Sequence, residues 1–146
     1  MTEIGFYHLT RTGPDAALPQ LLHRTLAAGQ RAVVRSVRED RIAQLDAALW
    51  ESKDFLPHGT PADGDADIQP IWLTIDDDVP NGATFLFLLD GAEGGDMACF
   101  TRIFDLFDGT NEADLQAARS RWAAAKSAGH SLTYWQQGPD GWLKKA

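Results

Sequence analysis

The sequence is short of the residues that most often carry chemistry. It has a single cysteine, Cys99. A lone thiol can form no disulfide within the chain and no cysteine-based zinc site. Its neighbours Met97-Ala98 and Phe100 are apolar, which predicts a buried, inert side chain. Basic residues are outnumbered: 13 Lys and Arg stand against 21 Asp and Glu, a formal net charge of −8, with a pI near 4.8. A domain that grips phosphate backbones directly carries a basic footprint. Tight duplex binding is therefore not expected, and any DNA contact should be indirect. No apolar run reaches the roughly 20 residues needed to cross a bilayer. The opening Met1-Thr2-Glu3-Ile4-Gly5-Phe6 lacks the basic region and apolar stretch of a signal peptide. The expectation is a cytoplasmic protein without membrane contact.

Catalytic signatures are missing too. Gly91-Ala92-Glu93-Gly94-Gly95 follows an apolar run, but it lacks the Lys-Ser/Thr of a phosphate loop and the GxGxxG spacing of a dinucleotide fold. His8, His23, His58 and His130 sit in four different segments, none at metal-ligand spacing. Asp76-Asp77-Asp78 precedes Pro80-Asn81-Gly82, which reads as a solvated turn rather than a cation site. No Gly-x-Ser-x-Gly elbow occurs. No catalytic residue, metal or cofactor is expected.

What is present is an ordinary globular composition. The chain has 146 residues, of which 44% are hydrophobic, enough for one domain, 1–146, with a core of its own. Ile4 to Leu9, Ala32 to Val37, Ile71 to Ile75, Thr84 to Leu89, Phe100 to Phe107 and Leu132 to Gln136 read as strands, short and rich in β-branched or aromatic residues. Between them, Pro14 to Gly29, Glu39 to Trp50 and Asn111 to Ser127 repeat apolar residues at helical spacing or carry helix start and stop signals. Ser52 to Gln69 is dense in Pro, Gly and Asp and reads as a long loop. The Gly-Pro-Asp-Gly stretch opening 138–146 reads as a tail to which no role can be assigned. This alternation predicts an α/β fold: a single Rossmann-like three-layer domain, its sheet mostly parallel, with helices on both faces.

The last helix is the most informative segment. Arg119, Trp122 and Lys126 are spaced i, i+3, i+7 and share one face. Two readings fit. Cations near a helix C-terminus favour its dipole and Trp122 serves the core; or the face recognises an anion beside an apolar group.

Several short motifs, in order along the chain, resemble the chi-subunit family of the bacterial replicative DNA polymerase. They are Phe6-Tyr7-His8-Leu9; Leu45 to Trp50 with Asp54-Phe55-Leu56-Pro57-His58-Gly59; Gln69 to Thr74; and Leu106-Phe107-Asp108-Gly109 with Ala118 to Trp122, Lys126 and Gly129. The resemblance implies a non-catalytic adaptor on a Rossmann-like fold. Such an adaptor would bind the acidic C-terminal tail of single-stranded DNA-binding protein, ending in Pro-Phe, and link it to the clamp loader. Its further partner would be the psi subunit or another clamp-loader or polymerase subunit, with a helicase as another conceivable user of the same surface. It also implies one tail pocket built from Trp50, Phe55 and Arg119, with Trp122 beside the arginine; Lys126 is added from its spacing. An acidic stretch, Asp63, Asp65 and Asp67, departs from the pattern and would repel an acidic tail lying close to it.

Two other classes compete. An enzyme on the same core would need a polar site at the carboxyl ends of the strands, with Asp90, Asp105 or Asp108 as candidates. A direct single-strand binder would use Trp122, Trp135 and Trp142 as stacking platforms; the acidic balance opposes it.

Overall fold

The computed structural model describes residues 2–53, 55–95 and 97–146; Met1 and Asp54, which figure in the reading above, lie outside the described residues. Along the chain run β1 (Glu3–Leu9), α1 (Pro14–Ala27), β2 (Ala32–Arg35), α2 (Glu39–Glu51), β3 (His58–Gly59), β4 (Ile71–Thr74), β5 (Phe85–Leu88), β6 (Arg102–Asp108), α3 (Glu112–Ser127), β7 (Ser131–Gly138) and β8 (Gly141–Lys144). The strands form one sheet in the order β3-β4-β2-β5-β6-β1-β7-β8. Every neighbouring pair is parallel except β7 and β8. The fold is the expected Rossmann-like α/β architecture with helices on both faces.

Strand order explains which face each helix covers. From β1 the chain moves toward β2 and then β4, in one direction along the sheet, carrying α1 and α2. From β6 it moves the other way to β7, carrying α3. Crossovers between parallel strands are right-handed, so reversing direction puts the helix on the opposite face. The two halves of the core record this. Leu18, Leu22, Leu45 and Leu49 of α1 and α2 pack with Val34, Leu73, Phe87 and Phe104. Ala118 and Ala125 of α3 pack with Ile4, Phe6, Leu86 and Phe107 on the other side. Strands covered on both faces can be apolar throughout. That accounts for the Phe85–Leu88 run, FLFL.

Three expectations need correction. Cys99 is exposed: its apolar neighbours belong to a one-turn 3-10 segment, Met97–Cys99, at the surface rather than to a strand. The segment after Gly138 is not an unstructured tail, because Pro139-Asp140 turns the chain so that β8 pairs antiparallel with β7, Gln137 opposite Trp142. The long loop from Ser52 carries β3 and a 3-10 turn at Ala66–Ile68. No helix among the described residues is long and apolar enough to cross a membrane.

Candidate functional site

The helix α3 is built to lie close to the sheet. Asn111 caps it, accepting from the Asp114 amide at 3.1 Å, as N-cap residues do. Gly129 ends it with a φ of +85°, a conformation glycine adopts freely. Its centre is alanine-rich, and Ala118 and Ala125 are its buried residues. Small side chains at the contact bring the axis near the strands and leave a cavity along each flank of the helix.

Along the flank facing β7, a cavity of about 270 Å³ is lined by Phe107, Leu115, Ala118, Arg119, Trp122, Tyr134 and Ala146. Trp122 is half-buried. It meets Phe6 edge-on at 5.2 Å and Tyr134 at 5.9 Å between ring centroids. Arg119 stands exposed at this cavity, and no hydrogen bond or ion pair engages its guanidinium among the described residues. Tyr134 is braced from below: its hydroxyl lies 2.6 Å from His8 Nδ1. Burial raises the Tyr134 phenol pKa, with Arg119 opposing. Lys126 is exposed on the same flank, two turns on, and does not line the cavity.

The other flank is different. Arg121 reaches down to Asp105 with both arms of its fork, Nε to Oδ2 at 2.7 Å and Nη2 to Oδ1 at 2.9 Å. Asp105 is buried, and burial raises its carboxyl pKa even against Arg121, which lowers it. Around this pair lies a mostly apolar cavity of about 350 Å³, walled by Phe6, Met97, Ile103, Ala124 and His130 among others. Arg121 thus has a buried partner of its own and is not a free charge for an acidic segment.

Trp50 and Phe55 do not join Arg119. Trp50 ends α2, 66% exposed, with its ring 4.6 Å from that of His58. His58 is itself held at 2.8 Å from both Asp46 Oδ1 and the Leu56 carbonyl. Phe55 is 84% exposed in the connection that follows. Neither Trp50 nor Phe55 lines the cavity beside Arg119. Because α2 and α3 cover opposite faces, and β3–β4 and β7 lie toward opposite ends of the strand order, the structure makes two separate surfaces. The acidic Asp63, Asp65 and Asp67 precede β4 and so belong to the Trp50 end.

The arrangement also bears on the competing classes. Where β1 and β6 lie side by side, their chains leave for opposite faces, and a doubly wound sheet opens a crevice at such a point. Here it measures about 660 Å³, with Thr10, Arg11, Arg38, Arg41, Asp90 and Asp108 on its walls. The amides of Thr10, Arg11 and Thr12, placed where a nucleotide binder holds phosphate, all donate instead to Gln137 Oε1 at 3.2, 2.9 and 3.1 Å. Asp90 is gripped by Arg41 and accepts from Ser36 Oγ. Asp108 caps the Thr110 turn, which lowers its pKa. These are structural roles. Trp135 and Trp142 pack on the α1–α2 face with Tyr7, away from Trp122, so the three do not form one stacking platform. Among the described residues, no group of three His, Cys, Asp or Glu side chains could hold a metal ion.

Sequence reasoning missed Phe107, Leu115, His8 and Tyr134 as parts of the Arg119 site. Phe107 and His8 lie inside strand motifs, and only the strand pairing shows that Phe107 meets α3 and His8 meets Tyr134. In comparison with known proteins, residues 1–133 match the family described as DNA polymerase III chi subunit, HolC. A search of curated proteins found no match.

Proposed function

This chain belongs to the DNA polymerase III chi-subunit family, a replication family, and on that premise we propose that it is a non-catalytic adaptor with two docking surfaces. The cavity beside Arg119 takes the acidic C-terminal tail of single-stranded DNA-binding protein. The Trp50–Phe55 surface takes the psi subunit or another clamp-loader or polymerase subunit. What supports the tail reading most is one juxtaposition: an arginine with no partner of its own above an aromatic cavity of about 270 Å³.

The chemistry follows from that pairing. A terminal Phe needs an apolar slot, and burying its ring contributes about 1.5–3 kcal/mol. Its carboxylate needs a planar donor, which Arg supplies bidentately, adding about 1.5–3 kcal/mol for a charged hydrogen bond. Lys126 adds a weaker attraction, screened by salt, for acidic residues upstream in the tail. Ordering a disordered tail subtracts from this sum, so affinity should be on the order of micromolar, about −8 kcal/mol.

The second surface rests on exposure: Trp50 and Phe55 are two large apolar side chains left to solvent close together in sequence, as anchors of protein interfaces are. Lying on the opposite face from Arg119, it leaves both partners room to bind at once, which linking requires.

The test is a titration with a fluorescent peptide ending in Asp-Ile-Pro-Phe. Arg119→Ala should weaken it about 10–100-fold, as should removal of the terminal Phe, whereas Trp50→Ala should leave it unchanged. In a pulldown with the clamp loader the two variants should exchange behaviour. No peptide binding at low salt would remove the tail reading, and equal losses in both assays for both variants would remove the two-surface reading.

A further inference from the structure

Beneath the Arg119 cavity lies a hydrogen-bonded pair whose polarity one proton can reverse. His8, next to last in β1, sits half-buried between β6 and β7, its ring 5.1 Å from Phe107 and 5.9 Å from Tyr134. Nδ1 faces the Tyr134 hydroxyl at 2.6 Å. Nε2 faces Gly109 so closely that a Cβ there would come within 1.7 Å of it. The Gly109 backbone beside the ring favours the protonated form, as a carbonyl acceptor does. With Nε2 turned to the Gly109 backbone, we assign the neutral tautomer that carries its hydrogen on Nε2, so that Nδ1 accepts from the Tyr134 hydroxyl. In that state Tyr134 offers the cavity only lone pairs, which repel a carboxylate. With a proton on Nδ1, the imidazolium donates to the Tyr134 oxygen, and the phenol hydrogen turns toward the cavity.

Resting on the tail-docking reading of this cavity, we propose that Tyr134, set by His8, is its second specificity-determining group: docking of a terminal carboxylate beside Arg119 takes up one proton at His8 and receives a hydrogen bond from Tyr134. The charged groups around His8 agree with this direction. Burial most of all, then the positive charge of Arg119, keep its pKa below the usual histidine value, while the Gly109 carbonyl and Asp108 oppose them. From β7 it faces the neutral Tyr134 phenol. A carboxylate bound at Arg119 offsets the charge that disfavours protonation. By linkage, the peptide favours protonated His8 by the same factor by which protonation favours the peptide.

The experiment is the same peptide titration, repeated between about pH 5 and pH 8, across the histidine range, with His8→Gln and Tyr134→Phe beside the wild type. The wild type should bind on the order of tenfold more tightly at the acid end. Both variants should lose that dependence, and Tyr134→Phe, which keeps the ring, should still bind through Arg119. In the wild type, the His8 ring signals should titrate at higher pH with peptide present than without. A wild-type affinity flat with pH, or a pH dependence that survives in both variants, would overturn the His8–Tyr134 proposal while leaving the tail reading intact. Absence of binding at every pH would overturn both.

Discussion

Arg119 and Arg121 stand two residues apart on α3 and serve opposite purposes. Two residues turn a helix by about 200°, so the pair straddles the line of Ala118 and Ala125 that touches the sheet. Arg121 finds a buried carboxylate below it, Asp105, and is neutralised in bidentate geometry. Arg119 finds Phe107, Trp122 and Tyr134, none of which can neutralise it. The same residue type on the same helix is structural on one flank and available on the other. What separates them is the strand residue beneath. A charged side chain stays available where the fold gives it an apolar neighbourhood and no partner.

Breaking the structural half should have the largest effect. Arg121→Ala strands Asp105 in the core without its counter-ion, and removing one partner of a buried pair costs about 3–5 kcal/mol. Urea unfolding should show that loss, while the peptide affinity of the folded fraction stays near wild type. A mild destabilisation with lost peptide binding would instead put the recognition charge on the Arg121 flank. A smaller effect is expected from Gly109→Ala. The added methyl collides with His8 Nε2, and overpacking of this kind costs about 1–3 kcal/mol. Because His8 sets Tyr134, this variant should also weaken the peptide, which separates it from Arg121→Ala in the same pair of assays.

The outline of this comparison was legible in the sequence, but its assignment was not. The cap at Asn111, the alanine-rich centre and the stop at Gly129 mark α3, and the i, i+3, i+7 spacing puts Arg119, Trp122 and Lys126 on one flank. A signal for the Arg121 pair was also present. In the run Ile103-Phe104-Asp105-Leu106-Phe107, alternation places Asp105 on the same face as Ile103 and Phe107, and a carboxylate in so apolar a row must be paired. The split between Trp50–Phe55 and Arg119 was out of reach, because it follows from the reversal of strand order, and pairings such as β6 with β1 join residues about a hundred positions apart. The contact of His8 with Tyr134 spans 126 positions and leaves no local trace. Cys99 shows the opposite case: its apolar neighbours in sequence point to burial, yet a surface 3-10 turn exposes the thiol. The β8 strand was within reach, since Pro139-Asp140-Gly141 is turn chemistry and Trp142-Leu143 follows it.

The finest test of the comparison uses pH on the structural half. Burial raises the Asp105 pKa above the ordinary carboxylate value, so the folded protein holds this proton more firmly than the unfolded chain. Its contribution to stability is complete below the unfolded pKa and is lost as pH rises through the folded one. Asp105→Asn keeps the shape and cannot titrate. The unfolding free energy of the wild type relative to that of Asp105→Asn, followed by urea from about pH 4 to pH 8, should therefore fall as the pH rises. The peptide affinities should keep a constant ratio throughout, because the proton that matters to the cavity sits on His8, on the other flank. A wild-type stability that instead rises with pH relative to Asp105→Asn would mean that Arg121 outweighs burial at Asp105. The pair would then be a net stabilising bridge rather than a cost that the core tolerates.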